Sequence, residues 1–101
     1  MLELNIPQPT VDHTLSERGA RYGSFLSHAN IAQALKRVMW TTSNWGDMAF
    51  DQQQALEVIA DKVARILNGD PNYTDNWHDI QGYAKLVEDR LNNENSPGSP
   101  R

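Results

Sequence analysis

A chain of 101 residues, 39% apolar and 22% charged, is long enough for one core built from three or four helices and too short for two. Its formal charge of −4, with the basic residues scattered, argues against a phosphate-tracking contact with nucleic acid. The absence of cysteine removes disulfides, thiolate metal sites and cysteine nucleophiles, and fits a reducing, cytoplasmic setting.

The first ten residues, MLELNIPQPT, have neither a basic nor an apolar signal region, so no signal peptide is expected. No apolar run approaches the length of a membrane span. Residues 1–13 carry Pro7 and Pro9 without periodicity and read as an extended arm. Thr14 followed by Glu17 has the spacing of a capping box and predicts a short first helix limited by Gly19 and Gly23. Within it, Arg18, Arg21 and Tyr22 stand close to Gly19 and Gly23, either on a frayed helix or on a turn that presents cations.

A second helix is predicted from about Ser24 to Trp40, with Leu26, Ala29, Leu35, Val38 and Met39 near helical spacing. The run from Thr41 to Asp47 is a loop. The third helix has the clearest pattern. Asp51 is a candidate N-cap, Phe50 a candidate staple onto Ala55, and Leu56, Ile59, Val63, Ile66 and Leu67 form one apolar stripe. Gly69 is expected to close this helix in a left-handed conformation, and Pro71 blocks its continuation.

A fourth helix opens at Thr74 or Asp75, and Trp77, Ile80, Ala84, Val87 and Leu91 make its core face. The short link from Asn68 to Tyr73 predicts a C-terminal antiparallel αα-hairpin. Residues 92–101 are polar, with two prolines and a glycine, and read as a disordered tail. The expected architecture is therefore all-α: a small bundle over 14–91, completed by self-association because so short a chain buries little of its own surface.

Glu57 and Asp61 lie four apart on the third helix, and Asp75 and Asp79 four apart on the fourth. Like charges at this spacing repel, so two such pairs point to a divalent metal site. Magnesium takes oxygen ligands, commonly carboxylates together with substrate phosphates. Ordinary charged helix faces are the plainer explanation. Asp75 suits a helix N-terminus without any metal, and Asp61 has Arg65 one turn on. Lys62 and Arg65 are candidates to hold a phosphate beside the acids. Tyr83 is a candidate to stack on a base, whereas Trp77 belongs with the core face. Gly82, in mid-helix, predicts close approach by another helix or a ligand. His78 points away from Asp79, and His13 and His28 stand in no constellation.

The stretches Glu17-Arg18-x-x-x-Tyr22-Gly23, Lys62 to Pro71 and Asp75 to Ala84 resemble a family of small phage and prophage proteins. More distantly, the arrangement resembles the MazG-like all-α nucleotide pyrophosphatase superfamily. That resemblance implies an oligomeric helical bundle in which acidic side chains from two helices bind magnesium. It also implies cleavage of a nucleoside triphosphate to monophosphate and pyrophosphate. Carried over by position, Glu57 and Asp61 stand for the first acidic motif, and Asp75 and Asp79 for the second. Glu57, Asp61 and Asp79 would then be catalytic. The superfamily's motifs are typically E-x-x-E and E-x-x-D, whereas this chain has E-x-x-x-D and D-x-x-x-D. Two functions are therefore expected of a cytoplasmic protein of phage type. One is a magnesium-dependent nucleoside triphosphate pyrophosphohydrolase. The other is a non-enzymatic accessory protein that binds a host protein or sequesters a nucleotide signal.

Overall fold

A computed structural model describes residues 10–95. Among them are four α-helices and no strand: α1 (Val11–Tyr22), α2 (Phe25–Trp40), α3 (Phe50–Asn68) and α4 (Thr74–Asn95). A single 3₁₀ turn, Trp45–Asp47, lies in the link between α2 and α3. No helix among the described residues is long and apolar enough to cross a membrane.

The caps explain where the helices start. The Thr10 hydroxyl accepts the His13 amide at 3.0 Å, and the Ser24 hydroxyl accepts that of Ser27 at 3.2 Å. Helix α1 therefore begins at Val11 and not at the Thr14 capping box, which makes residues 11–13 of the expected arm helical. In α3 the cap position belongs to Ala49, whose amide is taken by the Gln52 side chain at 2.9 Å. Asp51 is left to pair with Arg90 of α4 at 2.9 Å. Phe50 is 87% exposed and staples nothing. At the other end α4 runs to Asn95, so residues 92–95 of the expected tail are helical. The remainder of the expected arm and tail, residues 1–9 and 96–101, falls outside the described residues.

Helix α3 packs along both α2 and α4, while α2 and α4 are at most marginally in contact. Two pairs place α4: Asp51 with Arg90, and Lys62 with Asp79. They occur in opposite order along the two helices. Helix α1 folds back across the start of α2 and the end of α3. The three long helices thus make an open layer with α3 in the middle.

Small residues hold that layer together. The buried apolar residues among those described are Ala32, Ala55, Ala60 and Ala64, joined by one polar residue, Asn76. By helical periodicity, Ala60 and Ala64 lie on the flank of α3 that meets α2, and Ala55 on the flank that meets α4. Alanine lets helix axes approach closely, but each one buries far less apolar area than a leucine would. The expected core stripe has a different fate. Leu56 is 40% exposed and Leu67 65%, and Trp77 on α4 is 52% exposed although it was expected in the core. The stripe of α3 lies on one open face of the layer, because α3 spends its flanks, not its stripe, on its neighbours.

Candidate functional site

The four expected metal ligands do not converge within the chain. Asp61 pairs with Lys36 of α2 at 3.0 Å, on the α2 side of α3. Asp79 pairs with Lys62 at 2.9 Å, on the α4 side. The lysine side chains are 14% exposed in each pair, so both are committed to their partners and not held out toward solvent. Asp75 accepts the Tyr73 hydroxyl at 2.9 Å, and Glu57 is half-buried one turn before Asp61. Among the described residues no three His, Cys, Asp or Glu side chains stand together. Asp61 and Asp79 thus face lysines on opposite flanks of α3.

Electrostatics agree with the geometry. The Asp79 carboxyl is held below its ordinary range, first by the hydrogen bond from Lys62 and then by that lysine's charge. Asp51 is lowered by Arg90 in the same way. The Tyr73 hydroxyl is raised, chiefly because it donates to Asp75.

A second constellation forms where α1, α2 and the end of α3 meet. The Asn68 side-chain amide donates to the carbonyls of Tyr22 at 2.7 Å and Ser24 at 2.9 Å, and the Asp70 amide donates to the Arg21 carbonyl at 2.7 Å. Two glycines permit this approach. Gly23 has φ +79°, and a Cβ there would collide with the Asn68 carbonyl. Gly69 has φ −130° and is not left-handed as expected. Its lack of a side chain is needed because a Cβ would run into the backbone of Arg21 and Tyr22. Arg65 lies 4.9 Å from the centre of the Tyr22 ring, and Arg21 4.9 Å from that of Tyr73. The two tyrosines meet edge to face at 6.2 Å.

This clasp shapes a cavity of about 440 Å³. Arg18, His28 and Arg65 bring basic groups to its wall, and Leu15, Tyr22 and Phe25 bring apolar surface. The Ser24-capped N-terminus of α2, the positive end of a helix dipole, is also in the wall. The His28 imidazole titrates below its ordinary value because of partial burial first and the charge of Arg65 next. Its Nδ1 atom is buried and makes no hydrogen bond. A cavity of this size, with aromatic walls and a few convergent cations, has the chemistry to take a phosphate-bearing ring.

Of the expected site residues, only Arg65 stands at this cavity. Lys62 is held by Asp79. Tyr83 lines a shallower groove on α4 with His78, Asp79, Gly82 and Leu86. Within the chain nothing stands within 4 Å of where a side chain at Gly82 would be. Arg18 and His28 were not expected in a site, and neither was Lys36 as the partner of Asp61. The signal for Arg18 was its place with Arg21 and Tyr22 around Gly19 and before Gly23; His28 gave none, since only the fold of α1 over α2 brings it to the cavity.

The molecule is thus a small all-α protein built as an open helical layer, with one cation-lined cavity under a folded-back N-terminal helix. It belongs to the family described as a domain of unknown function, DUF6378, which matches residues 9–91. No curated protein matches the chain, and no solved structure matches it.

Proposed function

We propose that this chain is a nucleotide-directed binding protein which holds a phosphate-bearing, ring-containing ligand in the cavity between α1, α2 and α3. The observation that carries this reading is the joint presence of Arg18, Arg65 and the α2 N-terminus around aromatic and apolar walls, in a protein whose net charge is −4. The cations would take the phosphate, and Tyr22 or Phe25 the ring. In this reading α3 and α4 act as an antiparallel hairpin that supports the cavity, in a cytoplasmic homo-oligomer of phage type.

Between the two functions expected from the sequence, the non-enzymatic one is favoured by a specific observation. Lysines already neutralise Asp61 and Asp79. The MazG-like, magnesium-dependent reading requires both lysines to withdraw and the acids to move together. It predicts that magnesium alone raises the melting temperature, by binding only the folded chain.

The direct test is calorimetric titration with ribo- and deoxynucleoside mono- and triphosphates and with inorganic phosphate. Binding of at least one nucleotide is expected, weakened tenfold or more in Arg65→Gln, a loss of about 1.4 kcal/mol. No binding across the panel, or binding indifferent to both Arg65→Gln and Arg18→Gln, would remove the proposal. Magnesium-dependent release of pyrophosphate in the same samples would restore the hydrolase.

A further inference from the structure

The apolar face of the layer is only partly covered within the described chain: Leu35, Ile59, Val63 and Ile80 are half-buried on it, and Val38, Leu56 and Leu67 are exposed. Along the centre of that face run Leu56, Ile59, Val63 and Leu67 of α3, stepping by three and four. By the same periodicity Ile31, Leu35 and Val38 of α2 turn to the same side, opposite Lys36, which pairs with Asp61 across the other face. From α4 come Ile80, Ala84 and Leu91, on the side away from Asp79. An apolar groove of about 280 Å³ between α3 and α4, lined by Met48, Leu56, Ile59, Ala84 and Val87, opens on this face. Val38 is 68% exposed and Leu67 65%, and no large apolar side chain is among the buried residues.

The geometry points to a second copy of this chain as the cover, seated face to face across a two-fold axis that passes close to α3. This deepens the oligomeric part of the proposed function and is independent of the ligand cavity.

Three observations favour a second copy. The first is area. Nineteen residues of α3 span about 28 Å at about 1.5 Å per residue. Three helices abreast, spaced by about 9 Å, give a face on the order of 800 Å². That is about the area each partner contributes to a standard stable interface. The second is charge. These stripe positions hold no Asp, Glu, Lys or Arg, so two copies meet without burying like charges although each carries −4. The third is the core. The chain's own interior consists of four alanines and an asparagine. Pairing the faces would place the leucines, isoleucines and valines of both copies between two helical layers, in the manner of an ordinary helical core. A two-fold interface is self-complementary: a stripe on the central helix meets its own copy, and a groove receives the ridge beside its equivalent.

Sedimentation equilibrium of the full chain across the micromolar range is the first test, and a dimer is expected. Because folding would be linked to association, the melting temperature should rise with protein concentration. The native chain has no cysteine, so single cysteines report the face directly. Under mild oxidation at least one of Leu56→Cys, Ile59→Cys and Val63→Cys should cross-link two copies. Gln54→Cys, on the opposite side of α3, should not. Leu56→Glu should weaken the dimer at least tenfold; should that variant not fold, the concentration dependence of wild-type melting decides. A monomer at every concentration, melting at one temperature throughout, overturns both the oligomer and the interface. A dimer cross-linked by Gln54→Cys and by none of the three stripe cysteines overturns the interface alone. Neither outcome touches the nucleotide titration.

Discussion

The clasp end of the layer and its apolar face use the same helix in opposite ways. At the clasp, Asn68, Gly69 and Asp70 at the end of α3 meet Arg21–Ser24 through three hydrogen bonds and two side-chain-free contacts. Donors and acceptors there are satisfied inside one chain. Along the same helix, Leu56 and Leu67 at the two ends of the apolar stripe are 40% and 65% exposed, and Ile59 and Val63 between them are half-buried. Polar closure thus fixes where α1 turns back and forms the cavity, while the apolar stripe is only partly covered within the chain.

The sharpest break in this contrast is Gly69→Ala. The added methyl meets the backbone of Arg21 and Tyr22, which cannot rotate away. A loss of about 3 kcal/mol or more is expected in urea unfolding, against a gain of up to about 1 kcal/mol for Gly82→Ala, in mid-helix with nothing within 4 Å. Equal effects at the two glycines would mean that the clasp is not formed.

Next in size is Asn68→Ala. Both carbonyls it serves, those of Tyr22 and Ser24, would lose a donor. About 2 kcal/mol should be lost, and ligand binding in the cavity should weaken with it. An unchanged denaturation midpoint would count against the bonds.

A smaller effect of opposite sign is expected at Asn76. It is 1% exposed, and its amide nitrogen has no partner. Asn76→Leu removes a buried unsatisfied donor while keeping the branched four-heavy-atom side chain, and should raise stability by about 1 kcal/mol. A loss instead would show that the amide serves a group that the single chain does not contain.

The smallest effect concerns the acidic pairs. Asp79 has a lowered folded pKa, so its contribution is present above the ordinary carboxylate range and disappears as the pH falls through that lowered value. In Lys62→Gln the hydrogen bond that lowers it is lost, and the fall in melting temperature on acidification should become shallower. A steeper fall would mean that Asp79 is held by something other than Lys62.

Much of the fold was legible from residue pattern alone. The start of α4 at Thr74 follows from the Gly69–Pro71 break before it, and α2 begins after Ser24 as its spacing predicts. The N-terminus of α3 was misread: Asp51 looked like a cap because its type favours that role, but Arg90, thirty-nine positions away, claims it. The carboxylates were legible as pairs along a helix, but not as ion pairs. Spacing within a helix reports neighbours on one surface and is silent on which helix lies across from it.

By itself, then, the sequence determined the helices, their order and the apolar stripes along them, because backbone propensity, caps and periodicity act within a few residues. Tertiary structure decided which stripe is covered. Helix α3 meets α2 and α4 through Ala60, Ala64 and Ala55 because small side chains allow the closest approach of three helices in one layer. It also decided that Arg18, His28 and Arg65 share a cavity while Asp61 and Asp79 go to separate lysines. Those outcomes depend on contacts between segments far apart in the chain, whose geometry no local pattern encodes.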